Sequence, residues 1–417
     1  MRNPQPEMHI ERVLLQRALC AFGPHELQYV DIEIVAGAID CLYDGGGATA
    51  SERAEAINLT GYLMMPGLIN AHDHLQFALY PRLANPPYRN YIEWGEDIHQ
   101  RHADVIARQH RIHKDVRLWW GGVRNLLCGV TTVCHHDPPW PVLQQAEFPV
   151  RVLQHYGWAH SVGLESDIRR AYSQTPENQP FIVHTCEGVD DIAQKELATL
   201  DVMEALHDNT ILVHGLALDE QGIARVRDSG ASLVVCPSSN HNIFGVLPDM
   251  GRLRHIERVA LGNDSPLTSE GELLDEIRFA IRYGGIGAED AYRMVTEAPA
   301  KMLRLPYGAG AITREGKADL IGVRDTGEDA AERLKTLSME DIELVIIGGR
   351  VQLCSDAMWE RMPLRLCEGL APISVGGIVR WLRAPVGELL RSAEEVLGLG
   401  KASLSGKQLA VPSAVRI

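Results

Sequence analysis

The chain has 417 residues, of which 45% are hydrophobic, so it is long enough for one large domain with one or two smaller companions. Lys and Arg number 40 against 55 Asp and Glu, and the net charge of −15 argues against a general affinity for nucleic acid or for an anionic membrane. This composition is also unlike that of fibrous or disordered proteins.

The cysteines and the N-terminus bear on the cellular compartment. Eight cysteines are scattered along the chain without a Cys-x-x-Cys pair, which favours a reducing environment. The first residues lack the basic start and apolar stretch of a signal peptide. No apolar segment approaches the ~20 residues that are needed to span a bilayer. We therefore expect a cytoplasmic protein without a membrane segment.

The two ends of the chain have the pattern of antiparallel strands. Residues 9–60 alternate polar and apolar positions in short pieces, as in Val30–Val35, and a glycine run at 45–47 interrupts them. Residues 318–323 and 344–350 show the same alternation. Both ends are thus predicted to be rich in β-structure.

The region between these ends, residues 61–305, alternates strand candidates with helical patterns, which favours parallel βαβ units. Several of the strand candidates carry a polar side chain at the carboxyl end, where parallel barrels gather their functional groups. The strand candidates end near Asn70, Cys134, Tyr156, His184, His214, Cys236 and Asn263.

Two histidines follow the first of these apolar runs. His72 and His74 are two residues apart, and side chains at i and i+2 of a strand point to the same side, so both imidazoles can reach one metal ion. Alone, this His-x-His is a weak signal, because two nearby histidines are more often polar surface residues.

Three later segments strengthen the signal. Apolar runs end in His184, which Glu187 follows three residues later, in His214, and in Asp264. Neutral imidazole nitrogens and a carboxylate suit zinc or a similar divalent ion, with one position left open for water.

Candidates for substrate contact follow the first strands. The loop over residues 76–99 is rich in Pro, Tyr and Trp, and loops of this kind often shape the substrate pocket of a barrel. Aromatic side chains there could stack on a flat ring or could equally be packing residues. The candidates are Gln76, Trp94, His135, His136 and Tyr156.

In this order, the motifs resemble the amidohydrolase superfamily, and within it the branch of cytosine deaminase, guanine deaminase and triazine hydrolase-like enzymes. Supporting segments are Pro66–His72, Val235–Asn240 and Gly316–Ile321. The resemblance covers about residues 10 to 352. It implies an α/β fold, with a TIM-like (β/α)8 barrel over residues 61–305 and a small β-sandwich built from residues 1–60 and 306–355.

One stretch departs from the family pattern. The fourth of the eight barrel strands should precede the strand of His184, yet residues 166–179 are polar and contain Pro176 and Asn178. Either this strand is degenerate, or the run Pro149–Trp158 supplies two strands.

The C-terminal residues 356–417 lie beyond the resemblance. Gly376–Arg383 and Val386–Leu399 have helical periodicity, so we expect a helical extension. Its apolar positions could pack on the barrel or on a second subunit, which leaves a homo-oligomer open.

The resemblance also implies a metal site. By this likeness His72, His74, His184 and Asp264 hold one divalent ion per subunit, with zinc as first choice and iron as the alternative. Two-metal relatives bridge their ions with a carboxylated lysine on the fourth strand, but residues 115–194 contain no lysine. A lysine-bridged pair is therefore excluded.

The implied chemistry is hydrolysis by metal-activated hydroxide, since a metal-bound water can have a pKa of ~7 instead of ~15.7. Glu187 would shuttle the proton to the leaving amine, and His214 would hydrogen-bond the hydroxide or the developing oxyanion. Asp264 would be both ligand and proton acceptor.

These features predict a metal-dependent hydrolase that acts on a C–N bond of a small molecule, and above all a deaminase of small aminated heterocycles. An amidase, a cyclic imidase or a hydrolytic dehalogenase could use the same site. A metal-free binding scaffold is a further alternative, which the intact ligand set disfavours.

Overall fold

The computed structural model describes residues 12–45, 54–164 and 167–412. Residues 1–11 and 46–53 of the predicted N-terminal half-sandwich, residues 165–166 of the predicted barrel, and residues 413–417 of the predicted extension lie outside the described residues. Within those described ranges, none of the helices is both long and apolar enough to cross a membrane.

The N-terminal strands have the predicted antiparallel character. Strands β1, β2 and β3 pair in antiparallel order, whereas β4 and β5 run parallel to β1. In the predicted run of alternating residues, Val30, Ile32 and Ile34 are buried in the core. The strands are β1 (Arg12–Ala21), β2 (Leu27–Val35), β3 (Ala38–Asp44), β4 (Glu55–Asn58) and β5 (Tyr62–Pro66).

The central region consists of parallel strands that alternate with helices, so the predicted α/β class is confirmed. The strands form a three-stranded sheet in the order β6-β7-β8 and a five-stranded sheet from β9 to β13 in chain order. The strands are β6 (Leu68–Asp73), β7 (Val130–His135), β8 (Arg151–Val152), β9 (Gly157–Ser161), β10 (Phe181–Thr185), β11 (Thr210–His214), β12 (Ser232–Val235) and β13 (Val259–Leu261).

Helices lie between the strands of this region, as the helical patterns of residues 61–305 predicted. They are α1 (Tyr91–Arg101), α2 (Ala103–His110), α3 (Lys114–Leu127), α4 (Ile168–Ser173), α5 (Asp191–Val202), α6 (Glu220–Ser229), α7 (Pro237–Phe244), α8 (Met250–Leu253), α9 (Leu273–Tyr283), α10 (Ala288–Met294) and α11 (Glu297–Met302). Short 3₁₀ turns cover Leu75–Phe77 and Pro141–Gln144.

The strand that seemed degenerate in the sequence is present. The region from Pro149 onward supplies two strands, because β8 and β9 are separated by only four residues. Strand β9 pairs in parallel with β10, and the polar stretch before β10 contains the helix α4 instead of a strand.

The C-terminal strands join those of the N-terminus in one twelve-stranded sheet, in the order β19-β20-β17-β18-β16-β15-β14-β5-β1-β2-β3, with β4 on β1. Its C-terminal elements are β14 (Leu320–Arg324), α12 (Ala330–Thr336), β15 (Leu344–Ile347), β16 (Arg350–Cys354), α13 (Asp356–Trp359), α14 (Leu364–Cys367), β17 (Ala371–Val375), β18 (Ile378–Leu382), α15 (Val386–Leu397), β19 (Ser403–Leu404) and β20 (Lys407–Ala410), with a 3₁₀ turn at Met339–Asp341.

The prediction of an entirely helical extension after residue 356 is wrong. The segment Gly376–Arg383 belongs to a β-hairpin, in which Val375 of β17 lies opposite Ile378 of β18. Gly376 and Gly377 both have positive φ, and such a pair of glycines forms the two-residue turn of a hairpin. The second predicted helix exists as α15, and it packs on α3, where the indole of Trp120 donates to the carbonyl of Leu389.

Candidate metal centre and active site

The four predicted metal ligands come together where three parallel strands end. His72 and His74 lie at the end of β6, His184 lies in β10, and Asp264 follows β13. His72 Nε2 is 3.2 Å from His184 Nε2 and 3.6 Å from Asp264 Oδ1, and His74 Nε2 is 3.7 Å from the same Oδ1. All four side chains are buried. Donor atoms of His72, His74 and Asp264 lie within 4.8 Å of one another, those of His72, His184 and His214 form a second such group, and His72 belongs to both.

Backbone hydrogen bonds join the two segments that carry three of these groups. The N–H of Asp264 donates to the carbonyl of His72 at 3.1 Å, and the N–H of His74 donates to the carbonyl of Asp264 at 3.4 Å. This close approach requires Gly262, because a Cβ at that position would lie 2.8 Å from the backbone nitrogen of His72. The separation of the histidines from the carboxylate is thus set by the backbone.

Further partners orient the ligand atoms. The Nδ1–H of His184 donates to the carbonyl of His160 at 2.7 Å, so its Nε2 presents a lone pair to the centre. The hydroxyls of Ser239 and Thr268 donate to Oδ2 of Asp264 at 2.7 and 2.9 Å, which leaves Oδ1 facing the histidines. The sequence analysis did not single out these three partners, although Ser239 lies within the motif Val235–Asn240.

His214 and Glu187 lie beside the four groups. Their nearest atoms, Nε2 of His214 and Oε2 of Glu187, are 3.6 Å apart. The Nδ1–H of His214 donates to the amide oxygen of Asn240 at 2.9 Å, so Nε2 carries a lone pair. One ring nitrogen of His214 also lies within 4.8 Å of a ring nitrogen of His72 and of His184.

Burial controls the charge states of this cluster. It lowers the pKa of His74 and of His184 well below the usual value, and neighbouring histidines lower both further. It lowers the pKa of His214 to about 4. Burial alone would raise the pKa of Asp264, but its contact with His72 and the nearby imidazoles outweigh burial and lower that pKa. Neutral His74 and His184 beside an ionised Asp264 have the charge states that a divalent cation requires of its ligands.

The pKa of Glu187 shifts upward, opposite to the pKa values of these histidines. Burial raises its pKa well above 4.5, and the negative charges of Asp264 and Glu196 raise it further. A carboxyl group with a raised pKa can hold a proton at neutral pH and release it to a substrate atom.

Of the predicted substrate contacts, His136 lies nearest to the cluster. Its ring stacks on His184 with centroids 4.1 Å apart. Its Nε2–H donates to the carbonyl of Ala159 at 2.8 Å, while Nδ1 is buried and has no partner among the described residues. His135 is also buried, and its Nδ1 accepts from the N–H of Leu75 at 3.3 Å.

The other three predicted contacts make hydrogen bonds within the protein. The hydroxyl of Tyr156 donates to the carbonyls of His135 and Asp137, and the indole of Trp94 donates to the carbonyl of Leu83. Gln76 donates to the carboxylate of Asp137, and its amide oxygen is buried without a partner in the part of the chain that the structure describes. Their contact with substrate stays a prediction.

Comparison with known proteins agrees with this geometry. The model of the amidohydrolase family matches residues 160–351. A 5-methylthioadenosine/S-adenosylhomocysteine deaminase of Haloquadratum walsbyi is 34% identical over 332 residues, which are 65% of this chain and 73% of the relative. The chain belongs to the amidohydrolase family.

A more distant relative and two solved structures are also similar to this chain. An 8-oxoguanine deaminase of Pseudomonas aeruginosa is 22% identical over 75% of this chain and 82% of its own length. Among solved structures, an adenosine deaminase from Xanthomonas campestris with bound zinc superposes with a TM-score of 0.72 at 17% identity, over 92% of this chain and 97% of that one. An atrazine chlorohydrolase from Arthrobacter aurescens with zinc has a TM-score of 0.69 at 17% identity and covers 92% and 99%.

Membership of the amidohydrolase family, together with a deaminase relative at 34% identity, confirms the predicted reaction class. The chain is a metal-dependent hydrolase that acts on C–N bonds other than peptide bonds, by hydrolytic deamination of small heterocycles. The family uses a divalent metal, and the histidine cluster supplies suitable donor atoms.

Proposed function

We propose that this protein is a mononuclear zinc deaminase whose substrate is a purine with an exocyclic amine, either as the free base or as a nucleoside. The observation that carries the proposal is the spacing of the four donor atoms of His72, His74, His184 and Asp264.

Three of the donor spacings support a tetrahedral ion. Zinc bonds of about 2.0–2.1 Å imply that neighbouring donor atoms are about 3.3 Å apart in a tetrahedron. The measured separations between the histidine nitrogens and Asp264 Oδ1 are 3.6 and 3.7 Å, and His72 and His184 are 3.2 Å apart. Strand β9, which has the fourth place in the barrel order, contains no lysine that could bridge a second ion. We therefore propose one ion per subunit.

The side chains around the ligands divide the proton transfers between them. When bound, the ion acidifies a water molecule so that hydroxide is available at neutral pH. His214 has its Nδ1–H held by Asn240, so its Nε2 can accept a hydrogen bond from the attacking water. Asp264 is ionised and can take up the proton of that water. Glu187, whose pKa burial raises, can donate a proton to the amine that leaves the ring.

The substrate class rests on the relatives. The names 5-methylthioadenosine/S-adenosylhomocysteine deaminase and 8-oxoguanine deaminase both describe purines that carry an exocyclic amine. The predicted contact residue His136 supports a flat nitrogen-rich ring, because its unpartnered Nδ1 can accept a hydrogen bond from a ring or amine N–H.

A screen for ammonia release tests the proposal. The zinc-loaded protein is incubated with 5′-methylthioadenosine, S-adenosylhomocysteine, adenosine, guanine and 8-oxoguanine, and separately with cytosine, an aminotriazine, a chlorotriazine and a cyclic imide. Ammonia from at least one purine is expected. Ammonia from cytosine or the aminotriazine alone would overturn the purine assignment, whereas chloride release or imide opening without ammonia would favour the dehalogenase or imidase alternative.

The role of Glu187 has its own test. Glu187→Gln should keep the bound metal and lose turnover by roughly 10²- to 10⁴-fold, since the amide cannot donate the same proton. Glu332→Gln is a matched control, because Glu332 is an exposed carboxylate on α12 that pairs with Lys335. Near-normal turnover in Glu187→Gln would show that another group supplies the proton.

We propose further that the two parallel sheets form one closed (β/α)8 barrel within residues 61–305. The hydrogen bonds between the ends of β6 and β13 support this closure. We also propose a β-sandwich from both chain ends, whose N-terminal half extends to Pro66 because β5 pairs with β14. The cytoplasmic location and a homo-oligomer stay predictions.

A further inference from the structure

A second buried glutamate lies behind the proposed proton donor. Glu196 is on α5, is 4% exposed and faces the turn that follows β10. Its Oε2 accepts the backbone N–H of Cys186 at 2.7 Å. Glu196 takes no part in the proton transfers proposed above, so its burial needs another explanation.

The turn that Glu196 contacts, Cys186–Glu187, has an unfavourable backbone conformation. Cys186 has a φ of 54°, in the left-handed region that residues with a side chain rarely adopt. This conformation determines the direction in which Glu187 leaves the strand. The hydrogen bond from the N–H of Cys186 to the Glu196 carboxylate can stabilise it.

Tyr91, the first residue of α1, holds the same turn from the other side. Its hydroxyl donates to Oε1 of Glu196 at 2.7 Å and accepts the backbone N–H of Gly163 at 2.7 Å. Its own backbone N–H donates to the carbonyl of Glu187 at 3.2 Å. One tyrosine thus contacts both the backbone of the proposed proton donor and the carboxylate that orients it.

The segment before α1 is tightly fitted to this turn. The N–H of Val189 donates to the carbonyl of Arg89 at 2.7 Å, and Asn90 and Gly188 form an antiparallel bridge. A Cβ on Gly188 would lie 2.6 Å from the carbonyl oxygen of Arg89, so only glycine permits this approach. The loop that follows β6 is therefore connected directly to the residues around Glu187.

We infer that Glu196 and Tyr91 are positioning residues that hold the Cys186–Glu187 turn so that the Glu187 carboxyl faces the reacting amine. This inference rests on the proposed function of Glu187 as proton donor. Neither residue needs to touch the substrate. Their removal should slow the proton transfer without weakening binding of the substrate or the metal.

Kinetics of point variants test the inference with the best purine substrate from the screen. Tyr91→Phe and Glu196→Gln should each lower kcat on the order of tenfold, and Glu196→Ala on the order of a hundredfold, because a displacement of about 1 Å can cost that much. Values of KM and the metal content should stay within about twofold. Partial rescue by Gln over Ala is expected because the amide oxygen can still accept one backbone N–H.

Two further measurements separate positioning from general stability. Tyr172→Phe is the matched control, since the Tyr172 hydroxyl donates a hydrogen bond of 2.9 Å to Asn209 and, among the described residues, has no hydrogen bond with the turn. It should leave kcat unchanged. Amide hydrogen exchange in peptides covering residues 184–190 should be faster in Glu196→Ala than in the parent or in the Tyr172 control.

The outcomes distinguish the two levels of the proposal. Full turnover in Tyr91→Phe and Glu196→Ala beside an inactive Glu187→Gln would overturn the positioning role and leave the role of Glu187 intact. Equal loss of metal or a large rise in KM in the two positioning variants would also overturn it, because the pair would then shape the whole site. Normal turnover in Glu187→Gln would overturn the role of Glu187 and the inference with it.

Discussion

Removal of the guanidinium of Arg124 should destabilise the folded protein far more than the loss of an ordinary ion pair. Arg124 is 1% exposed, and its Nη2 is 2.5 Å from Oδ1 of Asp73, a fully buried residue that lies between His72 and His74 in the sequence. The amide of Asn125 donates to the other oxygen of Asp73 at 2.6 Å. Arg124→Met leaves a buried carboxylate without its cation, which costs about 3–5 kcal/mol.

Urea unfolding measures this cost. The matched control is Arg225→Met, because Arg225 and Asp201 form a pair at 2.5 Å whose side chains are 43% and 42% exposed, and loss of such a pair costs about 0–1 kcal/mol. The double variant Arg124→Met/Asp73→Asn removes both charges and should regain a large part of the lost free energy of unfolding. A loss in Arg124→Met no larger than in the control would refute the reasoning.

Two more predictions concern the stability of the chain. Burial raises the pKa of Glu276 from 4.5 to about 8, so its contribution to stability is complete below pH 4.5 and is lost as the pH rises through 8. Glu276→Gln should remove this part of the pH dependence of urea unfolding. An unchanged pH profile in this variant would contradict the prediction. Lys407 of β20 lies 3.1 Å from both carboxylate oxygens of Glu272 at the start of α9. Lys407→Met should lower the free energy of unfolding by about 1–2 kcal/mol, less than for Arg124 because Lys407 is one-third exposed. A free energy of unfolding equal to that of the parent would show that β20 does not stabilise α9 through this pair.

The four proposed metal ligands could be predicted from the sequence, because their residue types suit a metal and they stand at the ends of predicted strands. His72, His74, His184 and Asp264 stand at or just after the ends of apolar runs, and parallel strands bring such ends to one edge of a sheet. The structure places His72 close to both His184 and Asp264, and the parallel pairing that the apolar runs indicated accounts for this.

Other features depend on contacts between distant residues and have no local signal. Strand β8 has two residues, and β9 contains Trp158 and His160, so neither shows an apolar run. The hairpin of β17 and β18 resembles a helix in its spacing, and two glycines with positive φ decide between them. The partners that orient the site are ordinary polar residues whose roles appear only when the strands are assembled.

The metal content of the purified protein tests the central claim most directly. Elemental analysis of the parent should find one divalent ion per chain, and Asp264→Ala should retain less than about a tenth of it, because the only carboxylate among the four proposed ligands is then lost. Two ions per chain in the parent, or a full ion in Asp264→Ala, would contradict a single site formed by these four side chains.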